Sequence, residues 1–302
     1  MPPQDLAPFQ PMSQAPAPLK IGKFQASRRI VSEAWALLKQ DKEIMWLPVL
    51  SSITSLITLI VMGVLFFILA MDGDIEAFKG QEEVSFGGLE YLFALVYYTI
   101  MFFIINFFQA GIFIIAHGRM NGRDLSLRDG LQGASDVAGK IFVWSLISAT
   151  VGVVLRAISE RSKLIGTIVA GMLGAAWNIL TYFSLPSLVI GNVSVTDSFK
   201  MSADTIRKTW GETIIVQVGA GLFFMIIFFA VFVLGIGTMI LVPTMLVFIS
   251  VACLLVLFTL TFSVITSALS SIFKLALFEY ARTGKVPQGF SPELIQGAIT
   301  AK

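Results

Sequence analysis

One histidine and one cysteine supply all the imidazole and thiol chemistry that 302 residues can offer. A zinc-type site built on His and Cys needs three or four ligands, so His117 and Cys253 cannot form one. They are also far apart in the chain, which gives no signature of a nucleophile beside its base. Cys253 lies inside an apolar run and has no partner for an intramolecular disulfide. His117 with Asp124 is the nearest approach to an acid and base at one boundary. A lipid-modifying enzyme would need a larger acidic or His cluster there, and a single His at the end of an apolar run reads as interfacial.

Three fragments imitate motifs. Asp129-Gly130 followed by Ala134 brushes against the motif of alcohol phosphotransferases, but the Arg after the Ala and the two downstream aspartates are missing. Gly219-Ala220-Gly221 lies within an apolar run, where small residues mean helix packing and not phosphate binding. Asn192-Val193-Ser194 matches a glycosylation sequon on the side expected to be cytoplasmic. The expectation is a protein that is not an enzyme, with no catalytic residue, cofactor or metal. A net charge of +2 gives no case for nucleic acid.

The remaining polar groups sit inside the apolar runs, where they are costly and therefore worth tracing. Asn106, Gln109, Ala110, Phe113 and His117 share one helical face. Thr259, Ser263, Thr266 and Ser270 form a stripe continuing to Lys274, and Ser51, Thr54, Ser55 and Thr58 form another. Asn178 lies beside Trp177 on a helix whose Gly166, Ala170 and Gly174 repeat every four residues. Two readings stay open. The hydroxyls bond to their own helices and the amides join neighbours, or Asn106, Gln109, Asn178, Ser263 and Thr266 line an inward-open polar cavity.

The elements that must position these groups follow from composition. The chain is 56% hydrophobic and 13% charged, with a mean hydropathy of +0.84, outside the range of soluble domains. A membrane span takes about 20 apolar residues, and runs of that length fall near 46–71, 89–116, 140–158, 163–190, 213–234 and 243–266. The last two are separated by Gly235, Gly237 and Pro243 and predict a tight hairpin. Of the 21 Lys and Arg, 17 fall in the N-terminal segment, in 117–140, in 191–212 and in the C-terminal segment. By the positive-inside rule both termini are cytoplasmic, the acidic 72–88 loop is outside, and the protein is a multi-pass resident of the inner (plasma) membrane. The 156–163 loop, with Arg156, Arg161 and Lys163, is discordant. Residues 1–23, rich in proline and without a signal-peptide core, predict a disordered cytoplasmic tail. Residues 24–284 make the six-span domain and 285–302 a cytoplasmic tail.

A short, charged, helix-periodic stretch precedes each pair of spans. Ile30, Ala34, Leu37 and Leu38 make the apolar face of the first, with Ser27 as N-cap. Residues 124–139 make the second. Val195, Phe199, Ile206 and Trp210 make the apolar face of the third. The fold class is therefore all-α: a polytopic six-helix transmembrane bundle with three cytoplasmic amphipathic helices, written as a three-fold repeat of helix plus hairpin. Such helices lie in the headgroup plane, with Trp35, Trp46 and Trp210 as interfacial anchors and Lys274 snorkelling to the surface.

Five segments carry a family likeness: Trp35-Ala-Leu-Leu-Lys-Gln-Asp-Lys-Glu-Ile-Met-Trp-Leu-Pro48; Trp144 with Ala149-Thr-Val-Gly152; Trp177 with Tyr182-Phe-Ser-Leu-Pro186; Arg207-Lys-Thr-Trp-Gly-Glu212; and Tyr280-Ala281 with Gly284 and Pro287-Gln-Gly-Phe290. They resemble the signature blocks of an uncharacterised prokaryotic membrane family, domain of unknown function 6159, over roughly 24–297. The resemblance implies a six-span bundle and a more distant likeness to the membrane part of bacterial glycerophosphodiester phosphodiesterases. It implies no activity, and no phosphodiesterase domain accompanies it here. The functional expectation is a scaffold or accessory subunit that binds membrane lipid or a membrane-protein partner at the cytoplasmic face. The alternative is a carrier or channel using the inward cavity.

Overall fold

The computed structural model describes residues 23–71, 88–161, 165–210, 215–292 and 295, with side chains omitted at 23–30, 69–71, 89, 161 and 208–223. The Pro-rich segment up to residue 22 and the acidic loop 72–87 lie outside the described residues, as do 296–302. No strand occurs among the described residues. The helices are α1 (Lys23–Gln40), α2 (Trp46–Met71), α3 (Gly88–Met120), α4 (Leu127–Asp136), α5 (Ala138–Arg161), α6 (Ile165–Leu180), α7 (Ser184–Val189), α8 (Val195–Trp210), α9 (Ile215–Leu241) and α10 (Met245–Thr283), with a 3-10 turn at Lys42–Met45. Among the described residues, six segments are long and apolar enough to cross a membrane. The fold is the all-α multi-span bundle that the hydropathy implies.

Boundaries differ from expectation where backbone chemistry overrules hydropathy. α1 begins at Lys23, so Ser27 lies inside the helix and not at its N-cap. The fourth span breaks at 181–183 before α7, because Pro186 has no N–H for the carbonyl of residue 182 and its ring crowds that turn. Gly235 and Gly237 are not in the hairpin loop: α9 continues to Leu241, and Thr244 caps α10 by accepting from the Val247 N–H at 3.3 Å. A Cβ at Gly235 would stand 2.9 Å from Leu255 Cδ2, so this glycine lets the two arms of the hairpin approach.

The chain divides into two compact units. The first comprises Met1–Pro48, Ile115–Ser126 and Thr205–Lys302, the second Val49–Ile114 and Leu127–Asp204.

In the first unit the governing element is α10. Its 39 residues rise about 58 Å at 1.5 Å each, nearly twice the hydrocarbon thickness of about 30 Å. The sequence reading ends this span at 266, and the helix runs on to Thr283. Its two parts have opposite surroundings. Leu246, Ile249, Leu254, Leu257 and Leu260 are exposed, as lipid-facing residues are, whereas Ala268 to Ala281 is buried except at Ser270 and Lys274. α1 packs on α9, on α10 and on the 3-10 turn, burying Ala34, Leu37 and Leu38 together with Ile44 and Leu47. The apolar face of α1 is thus covered by protein, where the sequence suggested a headgroup layer. After α10, Gly284 (φ 68°) ends the helix in the left-handed conformation, its N–H donating to the Tyr280 carbonyl. The following segment folds back: Phe290 and Ile295 are buried, and the Ser291 N–H donates to Glu33 Oε2 at 2.9 Å.

In the second unit α5 and α6 form a close hairpin. A Cβ at Gly166 would meet the Ile158 carbonyl at 2.5 Å and one at Gly174 would touch Leu155, so this stripe of small residues is the seam between the two helices. α7 is wholly buried. α8 packs against it through hydroxyls: Ser202 Oγ accepts from the Phe183 N–H at 2.9 Å, and Ser184, Ser187 and Ser198 are fully buried. Ser194 caps α8, accepting from the Asp197 N–H and donating to its carboxylate. Trp144 and Trp177 stack with centroids 6.2 Å apart, and Phe199 of α8 packs on both.

Candidate functional site

The first unit gathers ionisable side chains at the end of α3. Gly122, at φ 71°, closes that helix, with the Arg123 N–H donating back to the Gly118 carbonyl at 2.8 Å. The reversal returns Asp124 to Arg119, whose Nη2 also donates to Asp41 Oδ2 at 3.3 Å. Asp41 is buried, and burial pushes its carboxyl above the ordinary aspartate range, opposed by its hydrogen bond and ion pair with Arg119. Two residues before Arg119, His117 Nδ1 stands 3.2 Å from Glu279 Oε1 without an aligned hydrogen bond. Glu279 is 7% exposed, and its Oε2 accepts from Arg282 Nη2 at 3.0 Å.

The cluster joins helices by charge. Each buried carboxylate has a guanidinium, as a low-dielectric interior requires. A carboxylate beside an imidazole is the beginning of a base, but Arg282 holds the other oxygen of Glu279. Among the described residues no group of three His, Cys, Asp or Glu could hold a metal ion. The arrangement suits a brace between the ends of α3 and α10 better than a reaction centre.

The polar groups singled out in the sequence separate. Asn106 is half-buried and its Nδ2 donates to Ser145 Oγ at 3.1 Å, joining α3 to α5. Gln109 is half-buried and engaged in its own contacts. Asn178 is exposed on α6. Ser263 is exposed, and Thr266 Oγ1 donates to the carbonyls of Phe262 and Ser263. Five threonines of the apolar helices share one pattern: Thr54, Thr99, Thr150, Thr259 and Thr266 each donate to the carbonyl four residues earlier, at 2.7–2.8 Å. Ser148 Oγ is buried without a hydrogen-bond partner among the described residues.

Of the aromatic anchors, Trp46 is 58% exposed at the start of α2, and Trp35 is half-buried with Lys39 Nζ 5.8 Å from its ring centroid. The Trp210 side chain lies outside the described residues. Lys274 is half-buried in the packed part of α10. Sequence reasoning missed Asp41, Arg119, Glu279 and Arg282 as a group. The available signal was the apolar run 268–281, which continues beyond the expected span with only Lys274 and Glu279 charged.

Six membrane-length apolar segments among the described residues, with paired charges and helix-bound hydroxyls, define a multi-pass all-α membrane protein. Within that class the chain belongs to the Family of unknown function (DUF6159), whose model matches residues 88–289. The match leaves the Trp35–Pro48 segment outside, so it is shorter than the resemblance over 24–297. No curated protein and no solved structure matches the chain.

Proposed function

We propose that the protein is a non-enzymatic scaffold or accessory subunit of the inner membrane, with both termini cytoplasmic, and that it binds lipid or a membrane-protein partner at its cytoplasmic face. The observation that carries this reading is the state of the span hydroxyls. Five threonines bond to their own helix carbonyls, so their donors serve their own backbones, whereas a conducting path would direct them to a solute. A prokaryotic origin and the distant likeness to the membrane part of glycerophosphodiester phosphodiesterases belong to this reading, since such a membrane part also serves something beyond itself.

Purification from native membranes, followed by mass spectrometry of retained lipid and protein, tests it. The expected result is a stoichiometric lipid or protein companion. Recovery without either, or solute flux in liposomes reconstituted with the protein alone, would overturn the scaffold in favour of a carrier or channel.

A further inference from the structure

The two faces of α6 are unequal in a way the small-residue repeat alone does not reveal. Gly166 and Gly174 are used by α5. The opposite face carries a second small pair at four-residue spacing, Gly171 and Ala175, both exposed, and a Cβ built at Gly171 would meet nothing within 4 Å. Exposed Ile168 and Met172 flank the pair. One turn further, on the same face by the 100° rule, stands Asn178.

Asn178 makes this face more than a smooth one. Its carboxamide is exposed within the span Ile165–Val189, and no hydrogen bond ties it to any described residue, in contrast to Asn106, which has Ser145. Hydrocarbon offers no substitute for water, so two N–H donors and a carbonyl directed into lipid are a persistent cost unless another helix meets them. A primary amide carries both halves of its own complement. Two copies related by a two-fold axis place the same residue opposite itself, so one amide donates to the other and accepts in return. Glycine and alanine at four-residue spacing let the two backbones come close enough for that exchange.

We infer that α6 is a homodimerisation helix: the Gly171–Ala175–Asn178 face packs against the same face of a second copy, with the two Asn178 amides paired across the axis. The inference is independent of the scaffold reading, since a carrier could dimerise in the same way.

Single-cysteine crosslinking in native membranes tests it. In a Cys253→Ser background, Ala175→Cys is oxidised with copper phenanthroline, and Leu254→Cys, exposed on α10, reports random collision. Ala175→Cys should give a disulfide-linked species of twice the 32.9 kDa chain, in several-fold higher yield than the control. Adding Asn178→Leu should lower that yield several-fold, and Asn178→Gln should restore part of it. Monodisperse elution in detergent checks that each variant is folded, which an exposed, unbonded position favours. A yield no higher than that of Leu254→Cys, an adduct with a different protein, or a yield unchanged by Asn178→Leu would each overturn the proposal.

Discussion

Each unit has a densely packed end, and the two are cemented by different chemistry. In the first unit Asp41, Glu279, Arg119 and Arg282 pair within a core of α1, the end of α3 and the end of α10. In the second, α7 and α8 meet through buried serines, Phe199 of α8 packs on the Trp144–Trp177 stack of α5 and α6, and no charged side chain is buried among its described residues. Ionic joints are strong only while complete, because a removed partner leaves a desolvated charge behind. Hydroxyl joints are weaker but fail gently. The first end should therefore be brittle to substitution and the second tolerant.

The largest effect should come from Glu279. Glu279→Gln leaves Arg282 without its counter-ion in a buried site, and such a loss costs about 3–5 kcal/mol. The check is the apparent melting temperature in detergent by size-exclusion retention, which should fall well below wild type. A wild-type melt would mean that the ionic joint is ornamental and the comparison void.

On the other side, Ser202→Ala removes the acceptor of the Phe183 N–H, which is 2.9 Å away and buried. An orphaned buried donor costs about 1–3 kcal/mol, so the same melt should shift by less than for Glu279→Gln. Equal losses would erase the distinction between the two ends.

A third substitution probes neither joint. Thr266→Val removes a hydroxyl that is bonded only to its own helix, and polar contacts inside membranes average about 0.6 kcal/mol. The melt should barely move, and the variant should leave lipid or partner retention unchanged. Loss of retention would return Thr266 to the cavity lining that its position first suggested.

Legibility in the sequence divides along the same line. The spans were readable because a membrane imposes its rule locally: some 20 apolar residues in a row announce themselves without knowledge of the rest of the chain. The helix before each pair of spans was readable too, since periodicity is also local. The packed part of α10 was not, because Ser267, Ser270 and Lys274 interrupt the run and resemble a boundary. Only the burial of Ala268 to Ala281 shows that a protein core takes over there. Nor could pairing be read along the chain. Glu279 lies far from His117, and Ser291 is separated from Glu33 by 258 positions. For Asn106 the polar character was legible and its partner Ser145 was not. For Asn178, exposure came only with the fold.

Asp41 gives the finest test, because it differs from Glu279 within one joint. Glu279 has His117 and Arg282 at its two oxygens, whereas Asp41 shares Arg119 with the exposed Asp124. Burial then outweighs pairing, and the Asp41 carboxyl is raised above its ordinary value of 3.8. The sign follows from linkage. A folded state that holds the proton more tightly than the unfolded one is favoured at low pH and loses that advantage as pH climbs from 3.8 through the raised value. Asp41→Asn should remove this part of the pH dependence without the collapse expected of Glu279→Gln. Above that window it should melt at or slightly above the wild-type temperature, since the cost of a buried carboxylate is gone and Asp124 still meets Arg119. Melts of both proteins at several pH values just above 3.8 and at 7 make the comparison. A variant that melts far below wild type at pH 7 would show that Asp41 and Glu279 are equal partners in the joint.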